Sequence, residues 1–235
     1  MDAESKFAIH AACRDGKLST VESLLNVDPK LAQRKDDDGR LPIHWAASSN
    51  QLDIVQLLAE QKGFDVDVKD DMGWTPLMIA ASVKDSDRLV EFLLSKGADP
   101  NEKNNTGQTV VHFVASKNNL DIARRLFDNA PPASARVRDR RGQYALHRAA
   151  AVGSAAMVNL LLKNRSPLNA TDSDGQTALH HAVAEGHADT AVALLKAGAE
   201  VDRKDASGQL ALDLAPDREV RKYIERMAEN EGIEL

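Results

Sequence analysis

The chain has 235 residues, a formal net charge of −6, 4% aromatic residues and a single cysteine, Cys13. One cysteine excludes an internal disulfide framework and fits a reducing compartment, and the negative balance argues against nucleic acid as the main partner. No apolar run approaches the ~18 residues of a membrane span. The opening MDAESKFAIHAA has no basic segment followed by a long apolar core, so no secretory leader is expected.

A unit of helix, turn, helix and turn recurs along the chain. The first copy reads Phe7-Ala8-Ile9-His10, with Ser5 as a candidate N-cap and Phe7, Ile9, Ala11 and Ala12 expected to face inward. From there a turn glycine acts as a ruler: Gly39, Gly73, Gly107, Gly142, Gly175 and Gly208, at spacings of 34, 34, 35, 33 and 33 residues. Behind each glycine stands a tetrapeptide: Leu41-Pro42-Ile43-His44, Thr75-Pro76-Leu77-Met78, Thr109-Val110-Val111-His112, Tyr144-Ala145-Leu146-His147, Thr177-Ala178-Leu179-His180 and Leu210-Ala211-Leu212-Asp213. These are variants of T-P-L-H, which marks a repeat of about 33 residues. The fullest statement runs from Asp172 to Asp202.

Each unit also carries a second helix with apolar residues at helical spacing, such as Val55, Leu57, Leu58 and Val158, Leu161, Leu162. The predicted fold is an all-α solenoid of seven stacked ankyrin repeats forming one domain, 1–235. Its units are approximately 3–36, 37–70, 71–104, 105–139, 140–172, 173–205 and 206–230. Stacking follows from burial, because a single helix pair cannot cover its own apolar face. The extra residue of the fifth unit is expected in the loop near Pro131-Pro132. In the last unit Asp213 replaces the histidine and Pro216 follows. Its final helix sets Val220, Tyr223, Ile224 and Met227 on one face, a polar-backed cap, with the tail from Asn230 expected to fray.

Nothing in this pattern reads as an enzyme. His10, His44, His112, His147 and His180 share one slot of five units, 33 to 68 residues apart, where a turn hydrogen bond is the natural role. The adjacent His180 and His181 diverge on a helix and make a poor metal site. No nucleotide, nucleophile or zinc signature occurs. The turn aspartates read as local caps. Catalytic residues, metals and cofactors are not expected.

Binding is expected where packing leaves residues over. These are the turn tips around each glycine and the pair that ends each first helix, together a concave surface. Those slots hold Asp37, Asp38, Arg40, Ser48 and Ser49; Asp71, Met72, Trp74, Ser82 and Val83; Asn105, Thr106, Gln108, Ser116 and Lys117; Arg140, Arg141, Gln143, Ala151 and Val152; and Ser173, Asp174, Gln176, Ala184 and Glu185. The position after the histidine holds Trp45, Ile79, Phe113, Arg148 and His181. Trp74 stands on a projecting turn, and exposed Trp and Arg are typical binding anchors. Arg148 is expected to reach into the groove. Charge alternates along the stack: acidic around repeats two and three, basic from Arg136 to Arg148, and acidic again from Asp172 to Asp205. Such a pattern can fix a partner's register.

Several of these pieces go beyond a generic repeat: His44-Trp45-Ala46, Lys69-Asp70-Asp71 with Gly73-Trp74, Ile79-Ala80-Ala81-Ser82, Ala115-Ser116-Lys117-Asn118, His147-Arg148-Ala149-Ala150-Ala151 and Arg226-Met227. In them the chain resembles the gankyrin family, seven-repeat assembly chaperones of the proteasome regulatory particle. The resemblance implies a monomer, cytoplasmic and nuclear, that holds the C-terminal helical domain of one proteasomal ATPase subunit during base assembly. It implies contacts at Arg40, Asp71, Trp74, Ser82, Lys117, Arg148 and Glu185, to which the slot after the histidine adds Trp45 as a candidate. It does not extend to the L-x-C-x-E motif of some members, since His181-Ala182-Val183-Ala184-Glu185 lacks its Leu and Cys. The alternative is an interaction module of the same repeats that binds a kinase or transcription factor.

Overall fold

The structure is a computed structural model that describes residues 7–235. Ser5, the candidate cap of the first unit, lies outside the described residues. Among the described residues are thirteen α-helices, two 3-10 turns and no strand longer than an isolated bridge.

The helices come in pairs. α1 (Ala8–Arg14) and α2 (Leu18–Val27) are followed by a 3-10 turn, Pro29–Gln33. Then come α3 (Pro42–Ser48) with α4 (Leu52–Ala59), and α5 (Pro76–Ala81) with α6 (Asp87–Ser95). Next are α7 (Val110–Ser116) with α8 (Leu120–Asp128), and α9 (Ala145–Ala151) with α10 (Ala155–Lys163). α11 (Ala178–Ala184) and α12 (Ala188–Lys196) precede a second 3-10 turn, Ala211–Leu214, and α13 (Arg218–Asn230). The chain divides into two compact units, 1–105 with 129–131 and 106–128 with 132–235.

Helix starts follow from the tetrapeptides. Pro42 and Pro76 stand in the first turn of α3 and α5, where no amide hydrogen is required. Thr75 and Thr177 cap α5 and α11 by accepting from the backbone N–H of Met78 and His180. The slot histidine closes the box. His44 Nδ1 accepts the Leu41 N–H at 3.0 Å, His147 accepts that of Tyr144 at 3.0 Å, and His180 accepts that of Thr177 at 3.2 Å. Each Nε2 then carries the proton and donates to a carbonyl further on: Val68, Ala170 and Gln209. The shared slot is thus a structural one, as the repeat pattern predicts.

Within the first unit α3 packs between α1 and α5, and α2 packs on α4. Within the second, α9 packs between α7 and α11, and α12 lies between α10 and α13. Small residues let the first helices approach closely: Ala46, Ala80, Ala149 and Ala182 are fully buried. The second helices bring Val21, Ile54, Leu89, Leu93, Ile122, Leu126, Leu161 and Leu194 to the core, each contributing about 1.5–3 kcal/mol on burial.

Two sequence expectations need correction. Ala11 is exposed, not inward. It occupies the slot after the histidine, whose exposure differs from repeat to repeat, and it borders a cleft of about 250 Å³ with Phe7, His10, Arg14 and Trp45. The C-terminal tail does not fray at Asn230, which is still helical. Gly232 at φ 68° lets the Ile233 N–H return to the Ala228 carbonyl, and Lys196 pairs with Glu231 at 2.7 Å.

Consecutive turns are joined by their backbones. In the first unit the Asp71 N–H donates to Asp38 O and that of Asn105 to Met72 O. In the second, Arg140 donates to Thr106 O, Ser173 to Arg141 O and Ala206 to Asp174 O. This contact requires glycine at the tip. Gly175 has φ +74°, and a Cβ there would lie 2.8 Å from the Ala206 nitrogen. Gly175→Ala should therefore cost roughly 1–3 kcal/mol in a urea melt, from left-handed strain and a pushed-apart turn.

Candidate functional site

Five of the turns are built on one carboxylate. Asp36 Oδ1 accepts from the N–H of Asp38 and Arg40, at 3.0 and 2.8 Å. Asp70 does the same for Met72 and Trp74, Asp139 for Arg141 and Gln143, Asp172 for Asp174 and Gln176, and Asp205 for Ser207 and Gln209, all within 2.9–3.0 Å. Each aspartate thus folds its own turn with one oxygen.

The second oxygen collects side chains that sequence reasoning assigned to a partner. The residue nine positions on, just after the slot histidine, donates to it in three units. Trp45 Nε1 reaches Asp36 Oδ2 at 2.7 Å, an Arg148 terminal nitrogen reaches Asp139 Oδ2 at 3.0 Å, and His181 Nε2 lies 2.9 Å from Asp172 Oδ2. The residue after the turn glycine reaches the aspartate of the following turn. Arg40 Nε lies 3.1 Å from Asp70 Oδ2, and Gln143 Nε2 lies 3.1 Å from Asp172 Oδ2. Burial alone would raise the Asp172 pKa. His181, Gln143 and the Gln176 and Asp174 N–H groups outweigh it and hold the carboxyl below its ordinary value.

The nominated contacts therefore divide. In the first unit Arg40 is part-buried, ion-paired to Asp70, with its guanidinium 5.5 Å from the Trp45 ring centroid. Trp45 is half-buried and tied to Asp36. Ser82 spends its hydroxyl on the Met78 carbonyl. Asp71 is exposed and Trp74 half-exposed on the same turn, beside Met72 at 59% exposure. In the second unit Lys117 and Glu185 are exposed at the C-terminal ends of α7 and α11. Arg148 does not reach out into a groove; Asp139 holds it inward with its side chain only 26% exposed. Gln143, another expected surface residue, is buried for the same reason.

The acidic tips are correspondingly smaller than the sequence suggests. The Asp70, Asp139 and Asp172 carboxylates are buried, and Asp37, Asp38, Asp71 and Asp174 provide the outward charge. The exposed apolar tips are Met72 and Val152, both in expected slots although neither was counted as a contact.

The remaining titratable groups serve the fold. Burial pushes His44, His112 and His180 below the ordinary histidine value, and His147 to about 4, with nearby His181 adding to the effect. The Cys13 thiol is buried and pushed up to about 12, so it stays a thiol at neutral pH. No group of three metal-ligating side chains occurs among the described residues, and no helix of theirs is long and apolar enough to cross a membrane.

Paired helices, aspartate-folded turns and, in four units, a histidine that locks the start of the first helix define a repeat solenoid of the protein-interaction type. The ankyrin-repeats family model matches residues 9–104, 77–171 and 112–205, and the chain belongs to that family. A search of curated protein sequences gives no match. Among solved structures, the ankyrin repeat domain of Bcl-3, a member of the IkappaB protein family, superposes with a TM-score of 0.74 at 24% identity, over 92% of this chain and 97% of that one. This likeness is one of fold.

Proposed function

We propose that this protein is a non-enzymatic assembly chaperone, cytoplasmic and nuclear, that binds the C-terminal helical domain of a proteasomal ATPase subunit as a one-to-one complex of two monomeric partners. The observation that carries the reading is what the stack leaves outward. In the first unit a carboxylate, Asp71, stands beside Met72 and Trp74 on one turn. In the second a cation, Lys117, and an anion, Glu185, stand at the ends of two first helices. An aromatic anchor with charges of both signs suits a helical partner whose own charges alternate. The variable-slot resemblance to gankyrins supplies the identity of that partner. Arg40, Trp45 and Arg148 act in this reading as supports that set the turns, with their remaining exposed edges at the rim. Ser82 is a rim residue.

A pull-down from cell extract, at low and moderate salt, should recover regulatory-particle base subunits without mature core particle. Recovery of a kinase or transcription factor instead would reassign the partner. Replacing both Trp74 and Glu185 by Ala should weaken a purified ATPase C-terminal domain at least ~30-fold, equivalent to ~2 kcal/mol. Calorimetric titration with wild-type-like circular dichroism measures this. An unchanged Kd would remove the proposed contact site.

A further inference from the structure

Between the two prolines and Gly142, the turn glycine of the fifth repeat, run four arginines in six residues: Arg136, Arg138, Arg140 and Arg141. All four are exposed. Among the described residues none of the four makes a side-chain ion pair, although Arg124, Arg148, Arg203 and Arg221 of the same unit all do. The one acid inside the run cannot neutralise it. Asp139 points inward, with both oxygens taken by Arg141 N–H, Gln143 N–H and Arg148.

Arg136 and the pair Arg140-Arg141 stand on turns, and between them Arg138 makes a bridge to Tyr144. The four arginines are the outward residues of the stretch, while Val137 is intermediate and Asp139 is buried. The Arg140 N–H and the Arg141 carbonyl already bond to the neighbouring turns, and the Asp139 N–H to Gln143 O. Little is left for a partner strand to pair with, so recognition falls to the guanidiniums. Each offers a planar fork that takes a carboxylate by two parallel hydrogen bonds.

We infer that the Arg136–Arg141 face is a docking site for an acidic polypeptide segment, whose Asp or Glu carboxylates pair with the exposed guanidiniums of Arg136, Arg138, Arg140 and Arg141. A single-stranded nucleic acid fits less well. The run carries no aromatic side chain on which bases could stack. None of the four arginines belongs to the contact set proposed for the ATPase domain, so the two readings stand or fall separately.

The probe is a fluorescent dodecapeptide alternating glutamate and serine, titrated by anisotropy with the full chain at 50 and 200 mM salt. Wild type should bind, more weakly at the higher salt. The triple variant Arg136→Glu/Arg138→Glu/Arg140→Glu should lose at least ~10-fold, the same three positions changed to Lys should lose less, and Arg88→Glu should bind as wild type. The glutamine triple variant repeats the loss without charge reversal if the reversed one misfolds. Equal binding by the wild type and the glutamine variant would overturn the inference. Tighter binding of a twelve-residue deoxyoligonucleotide than of the peptide would overturn it too. Retention of the ATPase domain by the triple variants would show that failure here leaves the chaperone reading intact.

Discussion

Asp172→Ala is expected to destabilise the protein by about 3–5 kcal/mol, more than any substitution among the exposed turn residues. The side chain is 1% exposed and accepts from four donors. Two are backbone N–H groups of its own turn, Asp174 and Gln176, at 3.0 Å each. The others are the His181 ring and the Gln143 amide. Alanine leaves Gln143, itself buried, with a donor and no acceptor, and an unsatisfied buried polar group costs about 1–3 kcal/mol. Asp172→Asn separates the two oxygens. It can keep an acceptor for the turn, but it turns an NH₂ toward two donors, so it should recover only part of the loss. Asp205→Ala removes the same turn bonds at a more open position, where water substitutes, and should cost less. Urea unfolding of the three variants gives the order. Equal losses for Asp172→Ala and Asp205→Ala would mean that the second-oxygen network contributes nothing.

That network shows where sequence reading succeeds and where it stops. The slot histidines and capping aspartates were legible because each acts within three or four residues of itself: His44 with Leu41, Asp172 with Asp174 and Gln176. The spacing of the glycines and the Val–Leu pairs fixed the helix order for a similarly local reason. The partners of Trp45, Arg148 and His181 lie nine residues back across a turn, and those of Arg40 and Gln143 lie 30 and 29 residues on. Nothing in a periodic pattern distinguishes a tryptophan, arginine or histidine that anchors a partner from one that donates to its own turn. All three are hydrogen-bond donors in the same slot, and that shared chemistry was the available signal. A slot that holds a donor in three units beside an aspartate at a constant interval of nine is a network before it is a binding face. Ala11 and Ile79 cannot donate there. Ala11 is exposed and Ile79 is buried, so the slot has no exposure of its own.

Acidification is expected to weaken the fold already between about pH 6.5 and pH 5, above the range in which most carboxylates titrate. Four slot histidines, His44, His112, His147 and His180, are neutral and buried, each accepting an N–H at Nδ1. Their folded-state pKa values lie below the ordinary value, that of His147 at about 4. The unfolded chain therefore takes up protons first as pH falls. Stability is complete above about 6.5 and is lost as pH drops toward the folded value, because the unfolded state binds more protons throughout that window. For His147 alone a displacement of this size corresponds to about 3 kcal/mol. Protonation also converts Nδ1 from acceptor to donor, which sets it against the Tyr144 N–H. Urea midpoints at pH 7.5, 6.0 and 5.0 measure the slope. His147→Gln should lower stability at pH 7.5 but flatten the slope by roughly the share of that one group. A wild-type stability that is flat from pH 7.5 to pH 5.0 would mean that the histidines are solvated in both states, and that the helix starts are held by the threonine caps and prolines instead.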